Sequence, residues 1–88
     1  MSNVPKGSEP APGVFARAVS EEVRLALARH RMSGAQLAVK IGRSQSYMSK
    51  RLRGESSFSA NDIDAICRVL DVDILGLLTA AVRAMRRQ

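Results

Sequence analysis

The sequence predicts an all-α protein: a compact bundle of about five helices that contains a helix-turn-helix and carries a flexible arm at its N-terminus. Three observations carry this. Apolar residues recur at three- and four-residue steps in successive stretches, the period of an amphipathic helix. Ser33, Ser44, Ser59 and Asp73 each stand at the head of such a stretch, and these residue types cap helix N-termini. No stretch alternates apolar and polar residues as a half-buried strand would, and no segment repeats.

Eighty-eight residues make one small domain, and with one Tyr, two Phe and no Trp its core must be aliphatic. Residues 1–13, MSNVPKGSEPAPG, hold all three prolines and show no apolar period, so they read as the flexible arm. The domain is expected over residues 14–88. From Phe15 the steps become helical through Val19, Val23, Ala26, Leu27 and His30. This first helix starts either near Val14 or near Ser20, where Glu21 and Glu22 would suit the N-terminal dipole. It ends around Arg31.

Ser33 with Gln36 three residues on fits a capping box, and Met32 before it can staple onto Leu37. Leu37, Ala38 and Ile41 form one apolar face, and Gly42 suits the left-handed residue that stops a helix. Ser44 then caps a helix over about residues 45–53, with Gly54 beyond it. Met48 and Leu52 are its only clearly apolar positions, so most of its circumference faces outward. A fourth helix begins at Ser59, with Asp62 as its capping partner at the third helical position and Ile63, Ile66, Cys67 and Leu70 as its buried stripe. Asp73 caps a fifth over about residues 74–86. Its apolar residues cover more than one face.

Two short helices joined by a turn of about three residues, with Gly42 at the bend and small Ala38 at the crossing, describe a helix-turn-helix. Charge supports the same region. Residues 32–54 carry five basic side chains and no acidic one, whereas residues 55–82 carry five acidic against Arg68 alone. A stretch that is only cationic suits a polyanion, because neutralising phosphates releases counterions.

The stretch SGAQLAVKIGRSQSYMSKRLRGE, Ser33 to Glu55, resembles the lambda-repressor-like helix-turn-helix family, of the Cro and repressor or xenobiotic-response-element type. SFSANDIDAICRVLDVD looks like that family's fourth helix. The likeness covers about residues 20–78, and Ala38, Gly42, Gln45, Ser46, Met48 and Gly54 carry it. Two positions depart from the pattern. Gly34 stands where many members place a phosphate-contacting Gln, and Arg51, next to Leu52, stands where many have an aliphatic residue. Slightly rotated packing and an added phosphate contact at Arg51 are therefore expected.

The resemblance implies double-stranded DNA as partner, and side-chain chemistry agrees. Gln45, Ser46, Ser49 and Lys50 are the candidates for base readout, Gln45 because its amide can pair bidentately with adenine. Lys50 suits either a guanine edge or a phosphate. Arg43, Ser44, Tyr47, Arg51 and Arg53 are the phosphate candidates. Surplus apolar residues of the last helix, Ile74, Leu75, Leu78, Val82 and Met85, are candidates for a homodimer interface, the alternative being that they pack on the first helix at Phe15 and Val19.

The expected function is a sequence-specific transcriptional regulator, bacterial or phage, repressing by operator occupancy. The rivals are an antitoxin-like interaction module on the same fold and a docking protein using AAVRAMRRQ as a basic amphipathic helix. No carboxylate pair, Ser/His/Asp set or phosphate-cradling loop suggests an enzyme, and no small-molecule substrate or cofactor is implied. His30 has no second ligand at metal spacing and reads as a helix-end histidine. Lone Cys67 reads as a small core residue. With no secretory h-region and no membrane-length apolar run, a cytoplasmic location is expected.

Overall fold

The computed structural model describes residues 10–87. Its elements are α1 (Val14–Arg29), α2 (Gly34–Ile41), α3 (Gln45–Leu52), α4 (Ala60–Leu70) and α5 (Ile74–Arg86), with no strand among the described residues. The bundle with its helix-turn-helix is the all-α fold that the sequence predicts. Of the expected arm, residues 1–9 lie outside the described residues, and residues 10–13 are coil.

Local chemistry sets most boundaries. The Ser33 hydroxyl accepts from Gln36 N at 3.0 Å, and the Gln36 side chain accepts from Ser33 N at 2.9 Å. That reciprocal box satisfies two of the N–H groups a helix start leaves without an intrahelical partner. Gly42, at φ 73°, ends α2 in the left-handed region that costs glycine little. Ser44 caps α3, Ser59 and Asp62 form a second box on α4, and Asp73 caps α5 by accepting from Gly76 N at 2.9 Å. Asp71 closes α4 at φ 54°, a conformation in which Asp is better tolerated than most residues. Helix α3 stops at Leu52, one residue short of the expected end, and Arg53 is its C-cap.

At α1 the earlier of the two expected starts is found. Gly13 is the N-cap and makes no side-chain cap bond. Ser20 is therefore mid-helix and 2% exposed, and its hydroxyl has no hydrogen-bond partner among the described residues. The apolar stripe of α1 is buried as expected at Val19, Val23, Ala26 and Leu27, but not at its two ends. Ala18, Val19, Val23, Ala26 and Leu27 are buried, while Phe15 and His30 are exposed.

The core gathers Val23 and Leu27 of α1, Leu37 and Ala38 of α2, Met48 of α3, Ile66 and Leu70 of α4, and Leu77 and Ala81 of α5. α1 packs along α5, while α2 lies against both α3 and α4. Met48 is 1% exposed and Leu52 half-buried. These two apolar side chains seat α3 on the core, while Gln45, Ser46 and Lys50 stay exposed. No described helix is long and apolar enough to cross a membrane.

Candidate nucleic-acid interface

The turn Gly42–Arg43–Ser44 presents α3 with its N-terminus open and one flank outward. Gln45, Ser46, Ser49 and Lys50 follow one another at spacings that place them on a common side of the helix. Gln45, Ser46 and Lys50 are exposed and Ser49 is half-exposed. Ser49 is engaged, because its hydroxyl accepts a close hydrogen bond from Arg53 Nη1. Arg53 also binds Glu55 through Nε at 2.7 Å and Nη2 at 3.2 Å.

The phosphate candidates divide by their surroundings. Arg43 and Ser44 are exposed, and the Ser44 hydroxyl accepts from Tyr47 N at 3.0 Å as the helix cap. Tyr47 and Arg51 are half-buried. The Arg51 guanidinium carbon lies 3.4 Å from the centre of the Tyr47 ring, and that of Arg43 lies 4.6 Å from it. Such contacts draw the cation to the negative face of the ring. Arg51 Nη1 also donates to the Tyr47 carbonyl at 3.2 Å.

In the sequence Asp62 is only a helix cap; the structure gives it a second set of partners. The Tyr47 hydroxyl donates to Asp62 Oδ2 at 2.6 Å. Arg43 Nε and Nη2 each stand 3.1 Å from Oδ1. Burial alone would raise the Asp62 pKa, but hydrogen bonds from Tyr47 and Ser59, with the charge of Arg43, hold the carboxyl below its ordinary 3.8. Burial raises the Tyr47 phenol, and the hydrogen bond to Asp62 and its negative charge raise it further. The phenol thus stays a proton donor, and its one proton is committed to Asp62.

Helix α1 contributes a basic edge that periodicity did not reveal. Arg24 Nη1 donates to the Leu52 carbonyl at 3.1 Å, at the end of α3, while Nη2 pairs closely with Glu21. Arg24 lines two neighbouring clefts. One, of about 270 Å³, also touches Gly34, Gln45, Ser49 and Arg53. The other, of about 240 Å³, also touches Arg17, Ser20 and Gly54. An arginine 28 residues before Leu52 gives no local sign that it will meet it.

The dimer candidates are split by the packing of α5. Leu78 and Met85 pack against the core and Val82 is half-buried, whereas Ile74 and Leu75 are 44% and 69% exposed. Ile74 and Leu78 line an apolar cleft of about 280 Å³ with Phe15, Val19, Phe58 and Ile63. The apolar surface of α5 is therefore shared between α1 and solvent.

A crystal structure of the clp gene regulator ClgR from Corynebacterium glutamicum superposes with a TM-score of 0.79 at 24% identity, covering 90% of this chain and 83% of that one. A second ClgR structure gives 0.76 at 22% identity, covering 84% and 96%. At these identities the likeness is one of fold. No curated protein sequence gives a significant match. The family described as "Helix-turn-helix domain" matches residues 18–82, a span holding the α2–turn–α3 unit and the helices that support it, and the chain belongs to that family.

Proposed function

We propose that the chain is a sequence-specific regulator of transcription that binds double-stranded DNA through α3, in the lambda-repressor-like branch of its family. The observation that carries this is the outward flank of α3. Gln45, Ser46, Ser49 and Lys50 lie together there, and residues 32–54 around them contain no carboxylate. A helix set in a major groove needs short hydrogen-bonding groups toward base edges and cations toward the flanking phosphates. The fold shared with a named gene regulator supports the reading.

In this reading Gln45 reads a base, Ser46, Ser49 and Lys50 assist, and Arg43, Ser44, Arg51 and Arg53 hold the backbone. The protein acts as a cytoplasmic repressor by occupying its operator, without catalysis or cofactor. It does so as a homodimer, for which exposed Ile74 and Leu75 beside the apolar cleft provide surface. That cleft also favours a second reading, an antitoxin-like module that holds a protein partner there.

Selection from a pool of random duplexes at near-physiological salt tests the proposal. Enrichment of an inverted repeat with half-sites about one DNA turn apart is the expected outcome. Binding without enrichment would refute sequence-specific recognition. Absence of binding, with co-purification of a partner protein, would favour the second reading.

A further inference from the structure

We infer that Asp62, on α4, is a positioning residue for the DNA-binding face: it fixes Tyr47 and Arg43, and through the Tyr47 ring it steadies Arg51. The inference rests on the DNA-binding reading and adds to it a residue outside the helix-turn-helix.

Asp62 is 2% exposed. A buried carboxylate is costly unless paired and hydrogen-bonded, so its partners are informative. Capping α4 occupies it only in part, since Ser59 N donates to Oδ2 at 3.1 Å. Oδ1 faces Arg43 through two nitrogens, and Oδ2 also accepts a hydrogen bond from the Tyr47 hydroxyl. The carboxylate therefore spends most of its bonding capacity on the turn before α3 and on α3 itself.

The consequence for Tyr47 is a change of role. A phenol whose one O–H donates a hydrogen bond to Asp62 does not also donate to a phosphate. What it offers is its ring, against which the guanidinium groups of Arg43 and Arg51 both lie. Two arginines held near one ring repel each other, and the buried negative charge of Asp62 against Arg43 offsets part of that repulsion. Side chains already fixed this way lose less conformational entropy when they meet the backbone of a duplex.

Positioning and simple electrostatics predict opposite signs. Asp62→Asn removes a negative charge near a polyanion, so charge alone makes binding tighter. Loss of positioning makes it weaker.

The test uses the full chain and a fluorescent 20-base-pair duplex of random sequence, titrated over a range of salt concentrations. Wild type, Asp62→Asn, Tyr47→Phe and the double variant are compared, with circular dichroism to measure the folded fraction. Asp62→Asn is expected to weaken binding about threefold to tenfold per folded molecule, the size of one lost hydrogen bond. Tyr47→Phe should weaken it as well, and the double variant should be no weaker than the worse single. Equal or tighter binding by folded Asp62→Asn, or single effects that simply multiply, would overturn the inference and leave the DNA-binding reading standing. If Asp62→Asn does not fold, Tyr47→Phe decides alone: weakened binding supports the inference and unchanged binding overturns it. A wild-type chain that ignores the duplex would instead refute both.

Discussion

Gly34, the first residue of α2, and Leu52, the last of α3, are in such close approach that a Cβ on Gly34 would stand 2.7 Å from Leu52 Cδ1. The two unusual positions of the helix-turn-helix thus explain each other. Absence of a side chain at 34 makes room for Leu52, which turns inward while neighbouring Arg51 lies on Tyr47. Gly34→Ala forces Leu52 off its rotamer at about 0.5–1.5 kcal/mol, against which alanine returns up to about 1 kcal/mol of helix preference. The single change should therefore move stability by less than about 1 kcal/mol. In a Leu52→Ala background the same change should become stabilising, with a coupling of at least about 0.5 kcal/mol in a denaturant double-mutant cycle. Additive effects would contradict the contact.

Ser20 offers a test of packing. Its buried hydroxyl without a partner carries a desolvation cost, and serine is a weaker helix former than alanine. Ser20→Ala should raise stability by about 1 kcal/mol, read as a rise of several degrees in Tm. A loss of stability would mean that the hydroxyl is satisfied in solution.

Acid should expose the Asp62 network. The folded pKa of Asp62 lies below its ordinary value of 3.8. Its contribution to stability is therefore present above the unfolded value and is lost as pH falls through the folded one. Urea midpoints measured from about pH 6 down to pH 2 should fall below about pH 4, and the fall should be shallower in Asp62→Asn. Parallel curves would show that Asp62 does not titrate as described.

Arg24 separates surface stability from DNA contact. Its pairing with Glu21 is solvent-exposed, and such pairs contribute little to folding. Its place in both clefts beside α3 adds a cation where a duplex backbone would pass. Arg24→Ala should leave Tm nearly unchanged, weaken binding to specific and random duplexes alike, and lower the salt slope by about one contact. An unchanged slope would remove α1 from the interface.

Helix starts marked by a side chain were legible because a cap acts within three residues. Ser33 with Gln36, Ser44, Ser59 with Asp62, and Asp73 all stand where the sequence puts them. The start of α1 was ambiguous because Gly13 caps it without a side chain, leaving Ser20 as a decoy. Exposed Phe15 shows the limit of periodicity, which gives a stripe but not how far the neighbouring helix covers it. The outward face of α3 was readable from Gln45, Ser46, Ser49 and Lys50. Its support was not, since Tyr47 meets Asp62 across 15 residues and Arg24 meets Leu52 across 28, and no spacing rule connects such pairs.

The central claim is that α3 reads bases, and Gln45 tests it most directly. Affinities of wild type and Gln45→Ala are measured at one salt concentration on the duplex enriched by selection and on a random duplex. The expected result is a loss of about 1–3 kcal/mol on the selected duplex and much less on the random one. Equal losses on both would contradict the claim and reduce α3 to a basic surface that holds DNA without reading it.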